Sequence, residues 1–268
     1  MLEDPNKPVL TWLGTAGFKI ETATGVILID PFLSRNAAAR PRQELKPEDL
    51  KDADHILISH GHFDHIADVP AVMVHSPADV YCSAVTAQAL VKRGVMPARI
   101  HTLSGGEKLE LGETACSVTA IRHIRFDVPL VLRTLTRVIR TSRSTFSSLE
   151  RLPAGPVLCY SLVLGGLTFT HMGSLGITPT DAKTLLPRTD VLMPPLQGHT
   201  DICSRAAAVA KAVEPQAVVI QHQDDFFPPV STYVDVEPFR RELKLSLPGC
   251  KCYEPRMNVP FTIDSILE

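Results

Sequence analysis

The first half of the chain alternates short apolar runs with glycines, a pattern typical of β-hairpins. VLTWLG, FKIET and VILID, at 9–14, 18–22 and 26–30, are each short enough to form a strand. The continuous apolar run HILIS, at 55–59, predicts a buried strand that leads into a histidine-rich loop. The pattern that follows predicts a helix, a strand, a second helix and three strands, at 66–75, 80–83, 84–94, 99–103, 107–111 and 115–123.

The second half repeats this order of hairpins followed by alternating strands and helices. A hairpin that turns at Gly165-Gly166 is predicted over 157–173. Two such halves can stack their sheets face to face with helices outside, which predicts an α/β fold, a four-layer αββα sandwich. The segment around 124–154 is interpreted as a helical insertion. The remaining pattern predicts helices at 178–187, 204–215 and 236–246 and strands at 190–196, 217–225 and 258–264.

Composition narrows the class of protein. The 268 residues are 44% hydrophobic and 21% charged, as in a globular protein, and we expect one domain over 1–268. Because the net charge is only -2, we expect no nucleic-acid partner. Because the chain lacks a long apolar run, we expect no membrane partner. The N-terminus has no signal-peptide pattern, which predicts a cytoplasmic protein. A homo-oligomer is left open.

The strongest chemical signal is the run Ser-His-Gly-His-Phe-Asp-His that ends at His65. His60 and His62 alternate and can point to the same side, whereas Asp64 and His65 lie about one turn further on. Such a loop can present ligands in two directions, to two metal positions about 3.5–4 Å apart. Nitrogen and oxygen ligands of this kind predict one or two Zn²⁺ ions, with Mn²⁺ or Fe²⁺ as alternatives.

This loop resembles the first metal motif of the metallo-β-lactamase superfamily, and the opening LGTAGFKIETATGVILIDPFL is similar to that family's first strands. Within the superfamily, the chain is most similar to the branch that includes L-ascorbate-6-phosphate lactonase. The resemblance implies an αββα sandwich, a dinuclear site at its edge and hydrolytic activity. It also implies the complete ligand sets, which are His60, His62 and His123 for one metal and Asp64, His65 and His222 for the other.

One position departs from the family pattern. The family carries a bridging aspartate in a sequence like H-x-G-D, where this chain has His171-Met-Gly-Ser174. Because a serine hydroxyl is not ionised near neutral pH, we expect a weaker second metal and assign Ser174 to substrate binding. The missing charge also leaves open a non-catalytic metal-binding protein.

Two further features indicate substrate contacts. His199 follows a predicted buried strand, and we interpret it as a substrate-binding residue or as the acid that protonates the leaving group. A residue at the start of a helix is the alternative. In the insertion, Arg133, Arg137, Arg140 and Arg143 form a basic stripe, which indicates a lid whose Arg133 and Arg137 bind an anionic substrate. A solvated helix face and a contact with an anionic membrane are the alternatives.

These features predict a metal-dependent hydrolase acting on an ester, a lactone or a phosphodiester, with a small anionic substrate. Asp64 would orient the attacking water while it binds the metal. Asp224 and Asp225 are interpreted either as residues that orient the imidazole of His222 or as a loop turn. A phosphodiesterase or nuclease and a non-catalytic metal-binding protein are the alternative functions.

Overall fold

The computed structural model describes residues 7–139 and 154–268 and arranges their strands in two sheets of seven. The first sheet, in spatial order, contains β14 (Pro260–Thr262), β1 (Val9–Gly14), β2 (Gly17–Thr22), β3 (Gly25–Ile29), β4 (His55–Leu57), β5 (Asp79–Ser83) and β6 (Ile100–Leu103). The second contains β13 (Lys251–Tyr253), β12 (Ala217–Val219), β11 (Val191–Met193), β10 (Leu167–His171), β9 (Val157–Leu164), β8 (Thr114–Ile121) and β7 (Lys108–Leu111).

The described helices connect the strands or follow them. They are α1 (Phe63–Ile66), α2 (Val69–His75), α3 (Ala84–Lys92), α4 (Val128–Ile139), α5 (Pro179–Leu185), α6 (Ile202–Val213), α7 (Glu237–Ser246) and α8 (Ile263–Leu267), with short 3-10 helices at Pro47–Leu50 and Pro97–Arg99. In the part of the chain that the structure describes, no helix has the length and apolar character needed to cross a bilayer.

Both sheets have the same mixed topology. Antiparallel hairpins come first, from β1 to β3 and from β7 to β10, and parallel strands follow, from β3 to β6 and from β10 to β13. The last strand, β14, returns to pair antiparallel with β1. The repeated order of hairpins and strand–helix units that the sequence predicts is therefore confirmed.

Side chains that alternate along the strands build the layers. In β3, Ile27 and Ile29 pack between the two sheets, whereas Leu28 packs outward in the cluster that includes Val72 of α2 and Leu90 of α3. The outer face of the second sheet is covered in the same way by α5, α6 and α7. The predicted four-layer αββα sandwich is confirmed.

The strand predicted over 217–225 ends at Val219, and β13 was not predicted. The sequence prediction also differs from the structure at two helices. The helix predicted over 66–75 is two helices, because α1 already begins at Phe63, within the histidine motif. The strand predicted over 258–264 ends at Thr262, where α8 begins. The Thr262 hydroxyl accepts the backbone N–H of Ser265 and caps this short helix.

Tyr160 of β9 links the two sheets by a polar contact. Its fully buried hydroxyl donates to the carbonyl of Ile58 at 2.9 Å and lies 3.1 Å from the carbonyl of Tyr81. Burial raises the pKa of Tyr160 well above its ordinary value, so the hydroxyl keeps its proton.

We expect Tyr160→Phe to lower the free energy of unfolding by about 1–2 kcal/mol, because a buried carbonyl loses its donor. Urea denaturation measures this loss. Tyr233→Phe is the matched control, since that residue is exposed and its hydroxyl donates to Glu254 at 3.1 Å. Its removal should cost under about 0.5 kcal/mol. Equal losses in the two variants would contradict the role given to Tyr160.

Candidate metal centre

The predicted ligands lie where several strands end at one edge of the sandwich. The histidine motif follows β4, His123 follows β8, and His222 follows β12. Ser174 follows β10 at the same edge. The carboxyl ends of parallel strands are the usual position of ligand sites in open α/β sheets, and the hairpins here add β8 to that edge.

The structure brings all six predicted ligands together in two groups. Within each group, the candidate ligand atoms lie within 4.8 Å of one another. The groups adjoin, because the ring centroids of His60 and His65 are 4.0 Å apart. The first group is His60, His62 and His123, and the second is Asp64, His65 and His222.

In the first group, contacts with neighbouring residues determine which ring nitrogens remain free to bind a metal. His60 Nδ1 lies 3.0 Å from Ser59 Oγ, and His123 Nδ1 donates to the carbonyl of Ile124 at 2.6 Å. Both rings therefore keep Nε2 for a ligand. His60 Nε2 lies 3.0 Å from His62 Nδ1, a distance at which two lone pairs repel unless a proton or a cation lies between them. This donor set fits a divalent cation.

The second group combines a carboxylate with two imidazoles. Asp64 Oδ2 lies 3.3 Å from His222 Nε2 and 3.7 Å from His65 Nε2. His65 Nδ1 donates to Asp30 Oδ2 at 2.8 Å, which leaves Nε2 directed at Asp64. One carboxylate and two imidazoles of this kind also fit a divalent cation.

For the first group and for Asp64, the environment favours the protonation states that metal binding requires. Burial, followed by the neighbouring imidazoles, lowers the pKa of His60 well below its ordinary value, and burial lowers the pKa of His62 to about 4. Burial also lowers the pKa of His123. Burial opposes ionisation of Asp64, but His65 and His222 outweigh it and lower the pKa of that carboxyl. Three neutral imidazoles and an ionised carboxylate are ligands that need not release a proton.

Asp30 supports both groups, although the sequence analysis assigned it no role. It is fully buried, and its carboxylate accepts from the backbone N–H of Ser59 at 2.7 Å, from Ser59 Oγ at 2.5 Å and from His65. Burial opposes protonation of His65, but Asp30 and Asp64 outweigh it and raise the pKa of that imidazole. A carboxylate that holds the second nitrogen of a ligating imidazole orients the ring. Its position at the end of a predicted strand was the available signal.

A buried ion pair holds the backbone beside His222. Arg35 Nη2 lies 2.5 Å from Asp224 Oδ2 and donates to Thr15 Oγ1 at 2.8 Å. Asp224 also accepts the backbone N–H of Thr15, whose carbonyl accepts the backbone N–H of His222 at 2.8 Å. Thr15 and His222 both have left-handed backbones, with φ of 52° and 58°. Asp224 thus acts on the backbone, and the expectation that it orients the His222 imidazole is wrong.

Asp225 likewise serves the loop. Its carboxylate accepts from Ser231 Oγ at 2.6 Å, and its backbone pairs with Arg40. The loop-turn interpretation of Asp225 agrees with these contacts.

The two groups form the floor of a cavity of about 460 Å³. Asp64 is the one carboxylate among the described residues that line it. Its walls come from α1, from the loop after β8, from α4 and from the loops after β11 and β12. The wall residues are Phe63, Ile124, Phe126, Leu130, Val131, Thr134, Leu135, Pro195, Gln197, Gly198, Phe226, Val230 and Ser231.

Ser174 lines this cavity beside the first group. It is buried, and its Oγ accepts the backbone N–H of Ile124 at 3.0 Å. The preceding Gly173 lets this loop approach the motif, because a Cβ there would lie 2.0 Å from Ser59 Oγ. A substrate contact of Ser174 stays a prediction.

His199 does not belong to the described cavity lining. Its Nδ1 forms an ion pair with Asp201 and lies 3.9 Å from Asp127 Oδ1, at the start of α4. Asp127 in turn accepts the backbone N–H of Thr200 at 3.1 Å. His199 therefore connects two segments at the start of α4 and α6. The alternative at the start of a helix agrees with these contacts, and a role of His199 in catalysis or substrate binding stays a prediction.

The predicted substrate contacts of Arg133 and Arg137 stay a prediction. The insertion does place a helix, α4, at the cavity, but the described lining contains neither arginine. Arg133 is exposed, and Arg137 Nη1 donates to Thr232 Oγ1 at 3.3 Å. At about 100° per residue, Arg133 and Arg137 fall about 60° and 20° from Leu130, beside the arc of α4 that lines the cavity. Arg140 and Arg143 lie outside the described residues.

Known proteins share the fold and part of the sequence. Residues 9–222 match the family described as the Beta-lactamase superfamily domain. A "UPF0173 metal-dependent hydrolase" of Anaeromyxobacter sp. (strain K) is 29% identical over 267 residues, which cover 95% of this chain and 87% of that protein. Another, of Anaeromyxobacter dehalogenans (strain 2CP-C), is 31% identical over 229 residues, which cover 82% and 76%.

A solved structure extends the comparison to the fold. Igni18, a metallo hydrolase from the hyperthermophilic archaeon Ignicoccus hospitalis KIN4/I, superposes with a TM-score of 0.67 at 20% identity, over 96% of this chain and 99% of that one. The expected superfamily is confirmed. The closer relation to the branch of L-ascorbate-6-phosphate lactonase stays a prediction.

We expect Arg35→Met to lower the free energy of unfolding by about 3–5 kcal/mol, because Asp224 is left buried without its cation. It should also weaken metal binding by the Asp64 group more than by the His60 group, since the backbone of His222 loses its support. Urea denaturation and metal titration measure the two effects.

The matched control is Arg188→Met, which breaks an ion pair whose arginine is exposed and should cost about 0–1 kcal/mol. Arg35→Lys keeps the charge without the planar fork and should fall between the two. Unchanged stability in Arg35→Met would refute the role of the ion pair.

Proposed function

The chain belongs to the metallo-β-lactamase superfamily and to its UPF0173 metal-dependent hydrolases, and from this premise we propose that it hydrolyses a carboxylic ester or a lactone. The observation that carries the proposal is the pair of adjoining ligand groups on the floor of one cavity. Two-metal sites of this kind act on substrates through ions about 3.5–4 Å apart.

The chemistry of the ligands favours zinc. His60, His62 and His123 would hold one ion, and Asp64, His65 and His222 the other. Imidazole and carboxylate donors suit Zn²⁺, and they also accept Mn²⁺ or Fe²⁺. A bound divalent ion supplies Lewis-acid chemistry, which lowers the pKa of water and polarises a carbonyl oxygen.

The protein's own residues position the reactants. Asp64 is the carboxylate that faces the cavity, and its lowered pKa keeps it ionised as an acceptor for the hydrogen of an attacking water. Asp30 holds His65 in one orientation, so that the second group is arranged before substrate arrives. Ile124 and Phe126 line the cavity beside His123 and make that side of the floor apolar.

The cavity favours a carbonyl substrate over a phosphodiester. A phosphodiester carries a negative charge, and cationic side chains usually bind it. The described lining contains no lysine or arginine. An ester or lactone carbonyl is neutral and needs no such partner.

The direct test removes one ligand and compares substrates. We expect His62→Ala to lose bound metal and to hydrolyse a carboxylic ester and a lactone at least about 100-fold more slowly, because loss of residues that only support a ligand already costs 10–100-fold. Metal analysis and initial rates with zinc-, manganese- and iron-loaded protein measure both effects. The matched control is His75→Ala, whose exposed side chain at the end of α2 lies outside both groups.

Faster cleavage of a phosphodiester than of the ester or lactone would overturn the substrate class. Full metal content and full activity in His62→Ala would overturn the site. Tight metal binding without hydrolysis of any of the three substrates would favour the non-catalytic alternative.

Ser174 provides a separate test of the second metal position. Ser174→Asp should raise the metal stoichiometry toward two, because it adds an anionic ligand where the family's aspartate bridges the ions. An anionic ligand contributes more to the free energy of metal binding than an ordinary hydrogen bond, which contributes about 1 kcal/mol. Ser174→Asn is the neutral control of similar size and should leave the stoichiometry unchanged. If the unmodified protein already binds two ions tightly in a calorimetric titration, Ser174 does not limit the second site.

A further inference from the structure

Four segments of the chain contribute apolar side chains to the walls above the ligand groups. Phe63 comes from α1, Ile124 and Phe126 from the loop after β8, and Phe226 and Val230 from the loop after β12. The fourth segment, α4, adds Leu130, Val131 and Leu135. We propose that this wall binds the hydrocarbon chain of a neutral ester. If the proposed hydrolysis is correct, this hydrocarbon chain belongs to the acyl group of the substrate.

The apolar wall is continuous with the ligand floor. The ring of Phe126 packs edge-on against His123 with 5.8 Å between the centroids. The ring of Phe226 packs edge-on against His222 at 5.0 Å. A substrate whose carbonyl lies over the imidazoles therefore places its adjoining carbon chain against these rings. This continuity identifies the occupant of the wall as part of the reacting molecule.

One face of helix α4 lines the cavity. At about 100° per residue, Leu130, Val131 and Leu135 fall within an arc of about 140°. Thr134 falls in the same arc and also lines the cavity. Leu132 points elsewhere, since it is absent from the lining although 56% of it is exposed. The cavity thus receives the apolar side chains of α4, while its described arginines lie outside.

The wall retains apolar surface that a ligand can cover. Val131 and Leu135 are each 50% exposed and Phe126 is 57% exposed, although all three line the cavity. Exposed apolar surface gathered around a cavity marks a binding site more often than isolated exposed residues do. Covering it with methylene groups is favourable, and burial of each methylene strengthens binding about threefold to fourfold.

The size of the cavity suits a chain of this kind. A volume of about 460 Å³ lies within the 300–1,000 Å³ typical of pockets that enclose small-molecule ligands. The described lining offers no cation to a charged head group, so a neutral ester is favoured over an anionic one. This replaces the small anionic substrate that the basic stripe suggested.

The test uses a homologous series of p-nitrophenyl esters, from acetate to octanoate, with the metal-loaded protein. We expect kcat/KM to rise about threefold to fourfold per methylene until the cavity is filled. Leu135→Asp places a carboxylate in the wall and should flatten this dependence. Leu132→Asp is the matched control on the same helix, outside the lining, and should keep the dependence. A flat series in the unmodified protein, or equal effects of the two variants, would overturn the proposal.

Binding of ketones separates the pocket from the reaction. Calorimetry with 2-butanone and 2-octanone, which resemble the esters but cannot be hydrolysed, should show at least about 50-fold tighter binding of 2-octanone and a negative heat-capacity change. Leu135→Asp should abolish this preference, and Leu132→Asp should keep it. If 2-octanone binds in this way while no ester is cleaved, the proposed hydrolysis fails and the apolar pocket stands. If the two ketones bind equally, the pocket proposal fails whatever the protein hydrolyses.

Discussion

Five imidazoles and one carboxylate, packed within a few ångström at the edge of two sheets, are the constraint on which the rest of this structure depends. Removing such groups from water is costly unless each finds a partner. Asp30, Ser59 and the carbonyl of Ile124 engage one nitrogen of His65, His60 and His123 respectively. The opposite nitrogens converge in two groups, and His222 Nδ1 finds no hydrogen-bond partner among the described residues. Divalent cations account for such a convergence, because they satisfy several lone pairs at once.

The scaffold around the site is organised by the same requirement. Parallel strands deliver their carboxyl ends to one edge, and the buried pair of Arg35 and Asp224 fixes the backbone from which His222 projects. This arrangement tolerates left-handed backbones at Thr15 and His222. The fold therefore supplies rigidity on the floor of the cavity, while the apolar residues of α4 remain half exposed above it. We propose that the floor carries the chemistry and that the wall recognises the substrate.

The sequence predicted the parts of this arrangement that depend on neighbouring residues. Alternating apolar positions placed the strands, and the contiguous motif identified His60, His62, Asp64 and His65. Asp30 and Arg35 were missed because each is a single residue whose partners lie far along the chain, at His65 and Asp224.

The helix of the insertion was predicted at the site, but the side it turns to the cavity was not. Its basic stripe suggested an anionic substrate, yet guanidinium groups are strongly favoured toward water or polar partners, whereas Leu130, Val131 and Leu135 gain by facing the cavity. The surroundings of His199 were likewise not predicted. The strand before His199 ends at the edge that carries the ligand groups, but Asp201 and Asp127 hold the ring of His199 outside the described cavity lining.

The most direct test of the central claim is anomalous diffraction at the zinc absorption edge, from crystals of the protein equilibrated with saturating zinc. We predict two peaks about 3.5–4 Å apart. One should lie about 2.0–2.1 Å from nitrogens of His60, His62 and His123, and the other at similar distances from Asp64, His65 and His222. Peaks elsewhere, or no peak at either group, would contradict the account.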